Sequence, residues 1–152
     1  MLLLKTINLF NKNPIDKVRN KELVEIAHQY GMSTTFHRAF DRCSNLNKSL
    51  EDIIELGCDR ILTSGGMKTA PEGKDILRQL IEKANNRIII MPGGGITENN
   101  IADLAKATGL KEFHGSFRSR YTGEMQYQSP IFDNFNVTKQ IKSRSEERRV
   151  GK

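Results

Sequence analysis

The chain of 152 residues is the size of a single domain, with 37% hydrophobic residues and a net charge of +6. No apolar run approaches the roughly 20 residues that span a bilayer, which argues against a membrane protein. Residues 142–152 hold five basic and two acidic residues, and so half of the net charge. The rest of the chain has no basic stripe of the kind that binds nucleic acid.

Helical stretches alternate with short apolar strands along most of the chain. The predicted order is helix 21–30, strand 34–40, helix 46–56, strand 60–64, helix 73–84, strand 87–91, helix 97–108 and strand 111–117. The strands begin roughly 23 to 27 residues apart, which is the size of one βα unit. This alternation predicts an α/β fold with a parallel sheet and right-handed crossovers.

Each predicted helix carries apolar residues at the 3.6-residue period that places one stripe against a sheet. In the first helix the stripe consists of Leu23, Ile26, Ala27 and Tyr30. Thr97 is the predicted N-cap of the fourth helix. The helices are expected to end at left-handed residues, namely Gly31, Gly57, Asn85 or Asn86, and Gly109.

Two parallel α/β architectures fit this pattern, an open doubly wound sheet and a (β/α)8 barrel. Four βα units are half of a barrel, and a barrel usually needs about 250 residues. Periodicity alone therefore slightly favours the open sheet.

Glycine-rich segments follow three of the predicted strands, at the sheet edge where α/β proteins bind ligands. Gly93, Gly94 and Gly95 run directly into the predicted helix at Thr97. Glycines let backbone N–H groups approach an anion, and a helix N-terminus attracts one, so the pattern predicts a phosphate or carboxylate site. The residues assigned to it are Ser64, Gly65, Gly66, Gly93, Gly94, Gly95, Gly115 and Ser116. The alternative is that these glycines only turn each strand tightly into its helix.

Two arginines, Arg38 and Arg118, directly follow their strands and are predicted to clamp the same anion. Asp41 is predicted to orient Arg38 or His37, or to cap the following loop. Arg60 begins its strand at the opposite end of the sheet, where a structural partner is expected among Asp59, Asp41 and Glu112.

Strand parity places two histidines on one face of the sheet. If Phe36 faces the helices, His37 faces the other way, and His114 follows the same parity on the last strand. His37, His114 and Asp41 are therefore the candidate catalytic residues, for acid–base chemistry or metal ligation. The alternative is a pair of hydrogen-bonded core histidines. His28 lies on a helix and is expected to be solvated.

The two cysteines, Cys43 and Cys58, are candidates for binding a soft metal such as Cu(I). Cys43 follows one predicted strand and Cys58 precedes the next, so they are expected at opposite ends of the sheet. The sequence shows no four-ligand set, and the alternative is a pair of buried or incidental thiols. The cysteines lack CxxC spacing, which favours a reducing cytoplasm over a disulfide scaffold.

Four segments together resemble the CutC family of copper homeostasis proteins. They are FHRAFD at residues 36–41, DRILTSGG at 59–66, IMPGGGI at 90–96 and EFHGSFR at 112–118. The resemblance implies a TIM-like (β/α)8 barrel in place of the open sheet. The segments look like the last four strands of that barrel, and residues 1–16 look like a remnant of the strand before them.

The resemblance also implies a truncated chain, because the family's first three strands have no counterpart here and a barrel needs roughly 200 or more residues. Two open sheet edges would favour a homo-oligomer. We expect a partial barrel over residues 1–128 and an irregular tail over residues 129–152. The composition of residues 143–152 is typical of translated adapter sequence, and these residues are left out of the functional interpretation.

Three functional hypotheses remain. Family membership implies a cytoplasmic protein associated with copper homeostasis and copper ion binding, and copper is implied only by this resemblance. The residues themselves favour a barrel enzyme that binds a small phosphorylated or carboxylated substrate, with His37 and His114 exchanging protons. The third hypothesis is an inactive fragment. A small anionic ligand is an expected partner, whereas nucleic acid and membranes are not.

Overall fold

The computed structural model describes residues 2–4, 15–116, 119–121, 140–142 and 148–149. Its helices are α1 (Lys17–Gln29), α2 (Leu46–Leu56), α3 (Lys74–Ala84) and α4 (Ile101–Thr108). A short 3-10 helix, Arg38–Arg42, precedes α2. Its strands, β1 to β8, are Leu2–Leu4, Thr34–Phe36, Arg60–Thr63, Ile89–Pro92, Glu112–Phe113, Ser119–Tyr121, Gln140–Lys142 and Arg148–Arg149.

The first four strands form one parallel sheet in chain order, β1-β2-β3-β4. A parallel bridge between Gly93 and His114 adds the end of β5 beside β4. A helix connects each neighbouring pair of these strands, which confirms the predicted α/β fold with a parallel sheet. β1 also pairs with β2 as the preceding strand of the same sheet.

Two short antiparallel pairs lie outside this sheet, β5 with β8 and β6 with β7. Arg118 and most of the predicted tail lie outside the described residues. The boundary of that tail therefore stays a prediction.

The core fills the space between the sheet and the helices. Phe36 and Ile61 project from β2 and β3 onto this side, and both are fully buried. They pack with apolar residues of α2 and α3, including Leu50, Ile53, Leu77 and Leu80. Burial of such side chains contributes about 1.5–3 kcal/mol each and sets which face of every strand is turned away from the helices.

The predicted apolar stripe of α1 is wrong in all but one position. The structure buries Asn20, Val24 and Ala27, whereas Leu23, Ile26 and Tyr30 are exposed. Lys17, outside the predicted helix, forms an ion pair of 2.6 Å with Asp52 of α2. Val24 packs in the core cluster, and Ala27 is buried as well.

The predicted strand 34–40 is too long, because β2 ends at Phe36 and the 3-10 helix follows. The Nδ1 atom of His37 accepts the backbone N–H of Ala39 at 3.2 Å and caps that short helix. The predicted strand 111–117 is also too long, because β5 ends at Phe113 with one further bridge at His114.

The fourth helix begins at Ile101, later than predicted, and Thr97 is not its N-cap. Asn100 holds the preceding turn closed: its Oδ1 accepts the backbone N–H of Thr97 at 2.9 Å, and its Nδ2 donates to the carbonyl oxygen of Gly95 at 2.8 Å. The N-terminus of α4 therefore does not directly follow Gly95, and the predicted start of this helix at Thr97 is wrong.

The predicted helix ends are confirmed, since the structure has positive φ angles at Gly31, Gly57, Asn85, Asn86 and Gly109. Within the described residues, no helix is long and apolar enough to span a bilayer.

Candidate functional site

Three loops meet at the carboxyl edge of the parallel sheet. They follow β2, β3 and β4, and they comprise residues 37–43, 64–73 and 93–100. The parallel register places these strand ends side by side, which is where α/β folds bind ligands. The residues that make contact there are Arg38, Asp41, Ser64, Gly66 and Gly94, and we call this group the Arg38 site.

The Asp41 carboxylate connects the loop after β2 to the loop after β3. It accepts hydrogen bonds from the Thr63 hydroxyl, from the backbone N–H of Ser64 at 3.1 Å and from that of Gly66 at 3.0 Å. Arg38 Nε donates to its other oxygen at 2.7 Å. The prediction that Asp41 orients Arg38 is confirmed, whereas the loop amides that it caps belong to the loop after β3 and not to the loop that follows Asp41 in the chain.

These hydrogen bonds keep Asp41 ionised. Burial alone would raise the pKa of Asp41, whose side chain is only 8% exposed. Hydrogen bonds from Thr63, Arg38 and the two loop amides outweigh the burial, so the pKa lies below its ordinary value.

The guanidinium of Arg38 is fixed along two of its three nitrogens. Besides the bond to Asp41, Nη2 donates to Ser64 Oγ at 2.7 Å and to the carbonyl oxygen of Met67 at 3.3 Å. Nη1 has no hydrogen-bond partner within the part of the chain that the structure describes. The side chain is 34% exposed, so solvent or a ligand can reach it.

Gly94 lies against this unpartnered nitrogen. A Cβ atom at Gly94 would lie 2.5 Å from Arg38 Nη1, and the residue has a φ of +98°. Glycine is therefore needed here both for the backbone conformation and for the close approach of the guanidinium. The adjacent loops also contact each other, because the Ala70 N–H donates to the Gly94 carbonyl at 2.8 Å.

Two contributors to the site were missed from the sequence. Thr63 fills the end of β3 and donates to Asp41, and the Met67 carbonyl accepts from Arg38. A polar residue ending an otherwise apolar strand was the available signal for Thr63. A backbone carbonyl leaves no signal in the sequence.

The two candidate catalytic histidines lie at the ends of β2 and β5, between which β3 and β4 run in the sheet. His37 uses Nδ1 to cap the 3-10 helix, which leaves the proton of a neutral ring on Nε2. His114 bridges to Gly93 and is half-buried. Their joint projection into one cavity stays a prediction. His28 is exposed, as expected, and its Nε2 lies 3.0 Å from an Asp59 carboxylate oxygen.

The remaining residues predicted to bind the anion are distributed along the same edge. Gly65 donates its N–H to the Thr63 hydroxyl at 2.9 Å, and Gly95 packs against Thr69. Gly115 is buried and Ser116 exposed just beyond the β5 bridge, and among the described residues neither is hydrogen-bonded to Arg38. Arg60 has its expected structural role, since its Nε donates to Glu112 at 2.7 Å.

The cysteines do not form a metal site. Cys43 ends the 3-10 helix at the carboxyl edge, whereas Cys58 precedes β3 at the amino end, as expected. Burial raises the pKa of the Cys43 thiol and raises that of Cys58 to about 11, which disfavours the thiolate that metals bind. No group of three or more His, Cys, Asp or Glu residues in the described ranges is arranged to hold a metal ion. These residues do not fit copper.

The chain is similar to CutC proteins in sequence and in structure. The CutC family model matches residues 6–119. A CutC family protein of Vibrio vulnificus CMCP6 is 49% identical over 113 residues, which are 74% of this chain and 45% of the relative. One from Bacteroides fragilis ATCC 25285 is 48% identical over 115 residues, which are 76% of this chain and 45% of the relative.

The solved structure of a Streptococcus agalactiae protein, named CutC and assigned by name to copper homeostasis, is also similar. It superposes with a TM-score of 0.67 at 35% identity, covering 75% of this chain and 54% of that one. The chain spans about half the length of the curated relatives it matches.

The stability that Asp41 contributes is expected to disappear in acid. The folded pKa of Asp41 is lowered below the ~3.9 of an unfolded chain, so the contribution is complete above that value and is lost as the pH falls through the folded pKa. We expect Asp41→Asn to reduce the free energy of unfolding by about 1–3 kcal/mol at pH 7 and by less at pH 3. Chemical unfolding of both chains at both pH values measures this difference.

The control for this experiment is Asp75→Asn, which makes the same chemical change at an exposed carboxylate in the first turn of α3. We expect this control to have little effect at either pH. A loss for Asp41→Asn that is equal at pH 7 and pH 3 would contradict the assignment.

Proposed function

The chain belongs to the CutC family, and from the geometry of its strand ends we propose that it binds a small phosphorylated or carboxylated molecule at the Arg38 site. The single observation that carries the proposal is the unpartnered Nη1 of Arg38, which lies beside the glycine loop after β4 while the rest of the guanidinium is fixed. Two N–H groups of a cation are thereby left for an acceptor from outside the protein.

The fixed guanidinium favours binding because little conformational entropy remains to be lost. A free arginine must order several rotatable bonds when it binds an anion, whereas Arg38 is already held by Asp41, Ser64 and Met67. The backbone N–H of Gly95, next to Gly94, has no acceptor within the described ranges and supplies a further donor at the same loop. These donors together suit an oxygen-rich anion.

We propose further that the parallel sheet is part of a TIM-like barrel, as the similarity to the Streptococcus agalactiae structure supports. Barrels of that kind bind their ligands at the carboxyl ends of the strands, where the Arg38 site lies. In this proposal His37 and His114 exchange protons with the bound molecule, and Asp41 holds Arg38 in place for it.

Copper ion binding is the second candidate function, and the name of the Streptococcus agalactiae relative is the observation that favours it. The described residues favour it less than they favour an anion. Cys43 and Cys58 lie at opposite ends of the sheet, and burial raises the pKa of both thiols. Cu(I) prefers soft, deprotonated sulfur ligands, which this arrangement does not bring together.

Replacing Arg38 is expected to remove anion binding. We expect Arg38→Ala to weaken the binding of acetate and of inorganic phosphate by roughly tenfold or more, because a charge-assisted hydrogen bond contributes about 1.5–3 kcal/mol. The concentration dependence of the thermal unfolding temperature measures this binding. Arg42→Ala is the matched control, since Arg42 is an exposed arginine at the other end of the same 3-10 helix. Equal loss in both variants, or no loss in Arg38→Ala, would refute the proposal.

The copper hypothesis is tested by titrating the chain with Cu(I) against a competing chelator. We expect Cys43→Ser and Cys58→Ser to leave the affinity for Cu(I) unchanged, because no group of three or more His, Cys, Asp or Glu residues in the described ranges surrounds either thiol. We expect the same for Arg38→Ala. A stoichiometric Cu(I) site whose affinity falls at least tenfold in either serine variant would favour copper binding instead.

A further inference from the structure

We infer that Asp41 determines the charge selectivity of the Arg38 site, so that the site prefers singly charged anions, with carboxylates as the class of ligand, over doubly charged phosphates. This inference rests on the proposed function, because it concerns the same ligand. It goes beyond that function by separating two ligand classes that the glycine loops alone do not distinguish.

The Asp41 carboxylate compensates the charge of Arg38. Arg38 Nε lies 2.7 Å from an Asp41 oxygen, so the two side chains carry no net charge as a pair. Asp41 is the more buried partner, and five donor groups from Arg38, Thr63, Ser64 and Gly66 hold it in place. A carboxylate so held cannot turn away when an anion arrives.

An incoming ligand experiences the charges of both Arg38 and Asp41. A ligand oxygen at Nη1 is attracted by the guanidinium and repelled by the carboxylate on the opposite side of it. Because the repulsion by Asp41 offsets part of the attraction by Arg38, each added unit of ligand charge gains less net Coulomb energy than it would at an arginine without a carboxylate partner. The cost of removing the ligand from water rises steeply with its charge, so the second negative charge of a phosphate is unfavourable here.

The number of N–H groups left for a ligand also bears on its class. Nη2 is already bonded to Ser64 and to the Met67 carbonyl, so of the guanidinium only the two N–H groups of Nη1 are left for a ligand, beside the loop N–H groups of Gly94 and Gly95. An N–H of Nη1 and one loop amide can meet the two oxygens of a carboxylate. Lys68, next to Met67, is exposed, and water and salt screen its charge.

The experiment compares anions of different charge on the full chain at pH 7.5. Sulfate and methanesulfonate both present sulfur-bound oxygens but carry two charges and one charge, and acetate adds the planar carboxylate. Binding is followed by NMR through the backbone N–H of Gly95 and the Nε–H of Arg38. We expect methanesulfonate and acetate to bind at least threefold more tightly than sulfate.

The variant Asp41→Asn removes the compensating charge and keeps the size of the side chain. We expect it to shift the ratio of affinities towards sulfate by roughly tenfold, because the second charge of sulfate is no longer repelled. Asp75→Asn on α3 is the matched control and is expected to leave the ratio unchanged. The wild-type ratio decides the inference by itself if Asp41→Asn fails to fold.

The possible results separate this inference from the function on which it rests. If all three anions bind and sulfate binds most tightly to the wild-type chain, the charge selectivity is refuted while the anion site stands. If methanesulfonate binds and acetate does not, the assignment to carboxylates is refuted. If no anion moves either resonance, the proposed function fails, and the inference fails with it.

Discussion

The Asp41 carboxylate joins two chain segments that follow neighbouring parallel strands, and the arrangement of the Arg38 site depends on it. On one side it fixes Arg38, three residues earlier in the 3-10 helix. On the other it accepts from Thr63 at the end of β3 and from the loop amides of Ser64 and Gly66. A buried carboxylate is costly unless it is hydrogen-bonded, and here every one of those bonds also positions a loop. The packing of the two loops and the positions of the proposed ligand donors therefore both depend on the Asp41 side chain.

The sequence predicted the elements of the fold best where local chemistry determines them. The bounds of α2 are those predicted, because an asparagine cap precedes it and a left-handed glycine follows it. The predicted rotation of α1 was wrong, since its sequence has apolar residues on more than one face and the fold buries Val24 and Ala27 in place of Leu23 and Ile26. The predicted start of α4 was also wrong, because the Asn100 side chain closes a turn at the position where Thr97 was expected to begin the helix.

The location of the candidate site could be predicted from the sequence, but the contacts between its residues could not. The βα order places the ends of β2, β3 and β4 at one edge, so Arg38, Ser64 and Gly94 could be expected near one another. The sequence left Asp41 with several partners, and only the structure shows that it bonds both Arg38 and the loop after β3. This arrangement bears on the proposed function. The ordered N–H groups of Arg38 suit an oxygen acceptor, whereas the soft thiols of Cys43 and Cys58 lie apart from each other. The chemistry of these residues therefore supports the proposed anion binding more directly than it supports copper binding.

The most direct test of this account is the affinity of Gly94→Ala for acetate, measured beside that of Gly109→Ala. Both glycines have positive φ angles, so alanine strains the backbone at each by about 1–2 kcal/mol. A Cβ at Gly94 meets Arg38 Nη1, whereas one at Gly109 meets nothing within 4 Å. We expect Gly94→Ala to lose at least as much stability as Gly109→Ala, and only Gly94→Ala to lose acetate binding. Wild-type affinity in Gly94→Ala, or equal loss in both variants, would contradict this account.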